Sequence, residues 1–297
     1  RPPAGGRLGH DEWRAALGRR DRFAEWSAFF DEELAEAPWR RVLDRWVERL
    51  MPGYCAAAMH GVIRVCHAVR GLAQSETPRR LRELADALAS WAATYRELPA
   101  TGHGAGGTLS PRRAIAAVAI VPPARRRQGN IVAALAALDD FPAFAPVSGL
   151  IDTGGDIAAL LAELTEVFAR VYLANARTPL TAVAFIHGVT GSAALGNIAP
   201  HIDEGTARKA VRYAWQSGCG LYACFGGGAA MAETVAPCEK DEDALIDLAV
   251  RHGDEHVIKF TEACLRRHAL APSPAYFAAV EHIHGMIRPR RDLANPD

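Results

Sequence analysis

The sequence predicts an all-α fold, a single multi-helix bundle with buried histidine-bearing helices at its centre. Three observations carry this. Almost no segment alternates apolar and polar residues with the period of two that a half-buried strand needs. Apolar residues instead recur at helical spacing, as in Trp39, Val42, Trp46 and Leu50. Prolines and glycines then cut the chain into pieces of about one helix each.

In chain order, residues 1–10 are rich in Pro and Gly and are expected to be loose. Asp11 to Leu17 reads as a short helix capped by Asp11. Phe23 to Glu36 is an aromatic-rich helix. Pro38 opens the next, Trp39 to Leu50, as proline does at a first helical turn. After the Pro52-Gly53 turn, Tyr54 to Leu72 carries small and branched apolar residues with few charges, which suits a central helix. Thr77-Pro78 restarts the chain into Arg79 to Leu98, an outer amphipathic helix. Thr101 to Pro111 is a glycine-rich loop, and Ala114 to Val121 a short helical piece. Helices are expected over Asn130 to Leu138 and Asp156 to Asn175, with Phe141 to Gly155 as loop between them. Pro179 to Leu195 is strongly apolar. Thr206 to Phe225 ends at Gly226-Gly227-Gly228. Asp241 to Leu270 is a long helical stretch that would divide near Gly253, and Pro274 to Ile287 is the last helix. No repeat of fixed period is present. Residues 11–287 are therefore read as one domain, and 288–297 as a charged tail.

Bulk composition excludes several classes. Hydrophobic residues make up 49% and charged residues 23%, an ordinary globular balance. Lys+Arg and Asp+Glu both number 34, so no basic excess points to nucleic acid. The longest basic run, Arg125-Arg126-Arg127, is a solvated loop by its setting. The six cysteines form no Cys-x-x-Cys pair and mostly sit in apolar helical text. That is the usage of a reducing compartment, and a cytoplasmic protein is expected. No apolar run reaches membrane-spanning length without a charge or a breaker, and no signal peptide is visible. The expected partner is a small molecule rather than nucleic acid or a membrane.

Two glycine patterns match a dinucleotide fingerprint by letter: Gly102, Gly104 and Gly107, and Gly218, Gly220 and Ala223. The physics needs a strand before the motif and a helix opening at it. The first lies between Pro99 and Pro111 and the second inside helical text, so neither predicts nucleotide binding.

Histidine is the stronger signal. His252, His256 and Lys259 stand at i, i+4 and i+7, which puts two imidazoles and an amine on one stripe of a helix. His60, His67 and His187 are set in other apolar helices. One such histidine alone is more often a satisfied core residue than a ligand. Several on separate buried helices each need a partner, and one shared cation satisfies many at once. His252-Gly253-Asp254-Glu255-His256 also matches His-x-x-Glu-His, in which two histidines bind zinc and the glutamate activates water. That zinc-hydrolase reading needs a downstream carboxylate, for which Glu262 and Glu281 are the candidates. Lys259 is either a snorkelling surface lysine or, if buried, a neutral amine able to add carbon dioxide and become an anionic carbamate ligand. Asp254 either orients a ligand or caps the helix after Gly253. Trp215 and Phe185 are candidate aromatic walls of a pocket and equally suit plain core.

Three segments carry a resemblance: Met59 to Ala68, Phe185 to Gly191, and Asp254 to Lys259. With Trp26 to Leu50 and Tyr213-Ala214-Trp215-Gln216, they resemble the questin oxidase-like family over nearly the whole chain. The resemblance implies an enzyme that opens rings of aromatic polyketides, of anthraquinone or hydroquinone type, with dioxygen and a Baeyer–Villiger-like outcome. It implies a non-haem iron, Fe2+, held by several histidines and a carboxylated lysine. Carried over by motif, His60, His187 and His256 would be the imidazole ligands and Lys259 the carbamate. His67 falls where relatives carry an aromatic residue, so it would stand behind the ligands with Asp254. His252 lies outside the shared motif. NADPH enters as an electron donor in accounts of the family, although no motif for it stands out. Relatives carry an Asn-His segment upstream of where this sequence begins, for which His10 is a poor substitute. A non-catalytic small-molecule-binding relative is the remaining alternative.

Overall fold

A computed structural model of the chain describes residues 8–9, 11–101 and 106–290. It is all-α: among those residues the β pairing is one isolated parallel bridge, Leu109 to Ile151. The helices are α1 (Trp13–Ala16), α2 (Phe23–Glu36), α3 (Trp39–Leu50), α4 (His60–Gln74), α5 (Pro78–Ala93), α6 (Pro111–Ala114), α7 (Ile131–Leu135), α8 (Ile157–Asn175), α9 (Pro179–Ile198), α10 (Glu204–Phe225), α11 (Glu242–His252), α12 (Glu255–Leu270) and α13 (Pro274–Met286). Short 3-10 turns join several of them, including Pro142–Gly149, where the sequence suggested open loop.

Local chemistry sets most helix starts. Thr77, Thr178 and Ser273 each precede a proline and accept a hydrogen bond from the first turn. The proline supplies a helical φ and lacks an N–H that would go unpaired there. Asn130, Asp156, Asp203 and Asp241 cap α7, α8, α10 and α11 in the same way. Gly253, at φ 72°, ends α11 in the left-handed conformation that glycine adopts freely. The stretch from Asp241 to Leu270 is therefore two helices. At the other end of the chain α1 is preceded by Glu12 and has no side-chain cap.

The larger departure is at the start of α4. Residues 54–59 continue no right-handed helix: Ala57, Ala58 and Met59 have φ of 47°, 57° and 68°. A left-handed residue other than glycine costs about 1–2 kcal/mol, so three in a row must be imposed by tertiary contacts. The Tyr54 hydroxyl donates to the Gly191 carbonyl at 3.0 Å, and the Trp91 indole N–H donates to the Gly53 carbonyl at 3.0 Å. Cys55, Ala56, Ala58 and Met59 are all buried. Ala57 is only half-buried, so its methyl loses little packing when removed. Ala57→Gly is accordingly expected to stabilise the protein by about 0.5–1 kcal/mol, read from the urea midpoint. In a right-handed helix the same change would destabilise, so a lower midpoint counts against the strain.

The centre of the bundle is α9, which packs against α4, α8, α10, α12 and α13. Its residues 184–195 are all buried. Among the described residues, Pro179–His201 is one helical span long and apolar enough to cross a membrane, contrary to the sequence reading, but 72% of its most apolar window is buried inside the protein. Its apolarity is that of a helix enclosed by neighbours. An aromatic group holds α1 to α3 together: Trp13, Trp26, Phe29 and Phe30 pack around Trp46 at ring separations of 4.9–5.8 Å, all edge to face. The Trp46 N–H donates to buried Glu33 at 2.9 Å, and Arg45 pairs with the same carboxylate at 2.8 Å. All six cysteines are free thiols.

Glu166 ties the C-terminal helices together. It accepts from Arg170 at 2.8 Å and Ser273 at 3.0 Å, and pairs with Arg112 at 3.2 Å, linking α8 to α6 and to the start of α13. Burial works to raise its pKa, but the hydrogen bonds from Arg170 and Ser273 and the guanidinium charges outweigh it, and the carboxyl lies below its usual 4.5. A carboxyl depressed on folding contributes stability above its unfolded pKa and loses it as pH falls through the folded value. Glu166→Gln is thus expected to flatten the fall in urea midpoint as pH drops below the usual 4.5. An equal slope in both proteins would argue against the linkage.

Candidate functional site

His187 stands in the middle of α9 and is buried. His60 is the first residue of α4 and reaches solvent. Their Nε2 atoms face each other at 3.2 Å. His256, in the first turn of α12, is half-buried, with its ring centroid 6.3 Å from that of His187. Three helices thus bring the three predicted imidazoles into one neighbourhood, with only His60 and His187 in contact.

The other ring nitrogens fix the tautomers. A carbonyl can only accept, so Nδ1 of His60 donates to the Ala57 carbonyl at 2.7 Å, and Nδ1 of His187 donates to the Val183 carbonyl at 2.6 Å. Both Nε2 atoms are then lone pairs, pointing at each other. Protonation is a poor resolution of that contact: burial, and then the neighbouring His60, push His187 down to about 3. Burial also lowers His60. A cation between the two rings would satisfy both lone pairs. Two nitrogens about 2.1 Å from one ion and roughly at right angles to each other lie about 3 Å apart, so the observed separation fits a shared metal. Asp254 accepts from the His256 backbone N–H at 2.8 Å and from its Nδ1 at 3.2 Å. It both caps α12 and turns the His256 ring, leaving that Nε2 free as well. Burial raises the Asp254 pKa, but the hydrogen bonds from His256 prevail and leave it below its ordinary value. Among the described residues, no three His, Cys, Asp or Glu side chains are gathered closely enough to close around one ion as they stand. His60 and His187 are the nucleus of the site, and His256 stands further out.

Lys259 lies one turn along α12 from His256. Its ammonium disfavours charge on His60, His187 and His67. It is half-exposed, however, and pairs with Glu255 at 3.2 Å. The burial that would neutralise the amine is not what holds it. His67 and Lys259 share the wall of a cavity of about 270 Å³ with Ile63, Thr190, Asn197 and Ile258. Trp215 is fully buried with its N–H donating to the Val147 carbonyl, and Phe185 is buried too; both are core.

The His-x-x-Glu-His reading fails on geometry. His252 closes α11, the left-handed Gly253 follows, and His256 belongs to α12. The two histidines therefore do not share a helical stripe. The His252 Nε2 contacts the Ile287 carbonyl at 2.9 Å, and its ring packs edge to face with His284. Glu255 is engaged by Lys259 and Glu281 by Lys240. Gly218 and Gly220 are inside α10, where a Cβ on Gly218 would meet the Phe168 ring at 2.1 Å, so that glycine makes room for an aromatic core residue. Gly102, Gly104 and His10 lie outside the described residues.

The left-handed turn that delivers His60 was missed by sequence reasoning. No local signal marks it, because Ala57-Ala58-Met59 reads as good helix. The sequence model of the family described as Questin oxidase-like matches residues 3–264. No curated protein matches the chain.

Proposed function

Because the chain belongs to the questin oxidase-like family, we propose that it is a metal-dependent oxygenase that opens the ring of an aromatic polyketide with dioxygen. The observation that carries this reading is the pair of opposed lone pairs on His60 and His187. His60, His187 and His256 would hold iron, with Lys259 as a carbamate completing the set. Iron(II) held mainly by nitrogen, with an open position, supplies one-electron chemistry with dioxygen.

The chain's own residues do the rest. Backbone carbonyls of Ala57 and Val183 lock two of the rings, and Asp254 turns the third. The adjoining cavity of about 270 Å³ is slightly under the roughly 300 Å³ at which small-molecule sites usually begin, which suits a compact ring system rather than a long chain. His67 lines that cavity on its exposed side, and partial burial and then Arg70 lower its pKa.

Metal analysis of protein prepared with ferrous iron and bicarbonate tests the reading, together with oxygen uptake on a hydroquinone substrate with and without NADPH. Bound iron and iron-dependent uptake are expected. Lys259→Ala is expected to cut both by roughly 10- to 100-fold. If iron is absent, or uptake ignores it, the site is not this centre. A full-activity Lys259→Ala protein would leave the lysine as the surface partner of Glu255.

A further inference from the structure

We propose that the cleft between α8, α9, α10 and α12 binds an apolar small molecule through its carboxylate, with Arg267 as the counter-ion. The cleft measures about 770 Å³, and its walls include Ile157, Leu161, Ala162, Ile202 and Leu270. Arg267, on α12, lies on its lining and is only 6% exposed. Among the described residues no carboxylate pairs with it, and its Nε–H is buried with no acceptor. The guanidinium neighbours the Tyr276 hydroxyl and works against the larger rise in its pKa that burial causes. A buried guanidinium without an anion is costly, and the cost falls when an anion arrives.

The surroundings are built for that position. Gly196 of α9 leaves the space the guanidinium fills: a Cβ there would lie 2.8 Å from Nη1. Glycine within a helix is otherwise unfavourable, so the room is its reason for being there. The carboxylates that line the cleft are already engaged. Asp156 accepts from the Ala159 N–H at 2.7 Å, and Glu204 accepts from the Arg208 Nε–H at 3.0 Å. Arg208 also donates to the carbonyls of Thr153 and Gly155 at 2.6 and 2.7 Å. Arg267 is therefore the charge left over. A planar guanidinium fork matches a carboxylate with two parallel hydrogen bonds. The apolar walls specify an apolar body behind it. Gly196 is nine residues along α9 from His187, about 14 Å, so this is a second site and not the histidine centre.

Calorimetric titration of the full chain with naphthoate and with its neutral counterpart, naphthylmethanol, tests the proposal. The unmodified protein is expected to bind naphthoate about ten-fold or more tightly than the alcohol. Arg267→Met should erase that preference while melting at or above the temperature of the unmodified protein, since it removes an unpaired buried charge. Ala162→Phe, which leaves the arginine in place, should weaken both probes by filling the cleft. Equal binding of the two probes by the unmodified protein overturns the proposal. So does a preference that survives Arg267→Met, or a lower melting temperature in that variant with the preference unchanged.

Discussion

Replacing His187 with alanine is expected to remove bound iron and to lower oxygen uptake by roughly 100-fold or more. The size follows from position. His187 is the most enclosed of the three imidazoles, and its Nε2 is the atom His60 faces at 3.2 Å. Its Nδ1 proton is committed to the Val183 carbonyl, so the ring cannot be replaced by a neighbour turning inward. His60 alone reaches solvent and has no second imidazole at the same range. Because alanine also leaves a hole in α9, His187→Gln serves as the volume-conserving comparison. Both variants are expected to lose the metal, while the glutamine variant keeps the helical circular dichroism signal and most of the melting temperature. Retention of iron by either variant would separate the histidine pair from metal binding. A large fall in melting temperature shared by both, in protein that never held iron, would make the pair structural instead.

Gly191→Val is expected to damage fold and site together. A Cβ at Gly191 would lie 2.4 Å from the Met59 sulfur and 3.4 Å from its Cβ. Met59 is 1% exposed and is the last residue of the left-handed turn, so it has nowhere to go. Crowding of this kind costs about 1–3 kcal/mol, and valine brings more than the one carbon considered. The direction of relief matters as much as the cost. Pushing Met59 outward moves His60, the next residue, away from His187, which sits one turn back on the same helix as Gly191. A melting temperature lower by several degrees and a reduced iron content are therefore expected in the same protein. Gly191→Ala should show both effects more weakly. Loss of stability with full iron content would mean that the turn does not position His60.

Much of the fold could be read from local signals, since they are backbone chemistry. The Thr-Pro and Ser-Pro starts of α5, α9 and α13, and the Gly253 stop, each specify a conformation whatever surrounds them. The meeting of His60 and His187 could be anticipated because imidazoles set in separate apolar helices need polar partners, and because the three motifs resemble a family. For Lys259 the sequence left a surface lysine and a buried amine open, and its half-exposed pairing with Glu255, at i, i+4, is the surface arrangement. The His252 partner was illegible for another reason: it is a backbone carbonyl 35 residues away. The left-handed turn before α4 was illegible outright. Its alanines favour the opposite hand, and the groups that overrule them come from α5 and α9.

That arrangement also dictates an order of events during synthesis. The carbonyl that anchors Tyr54 belongs to a residue 137 positions later. A nascent chain that has emerged only as far as α8 has no α9 to force Ala57, Ala58 and Met59 out of their preferred hand. At that stage the segment is free to run on as right-handed helix, carrying His60 to a different azimuth. The approach of His60 to His187 is consequently a late, post-assembly step, reached only when the chain closes that long-range contact.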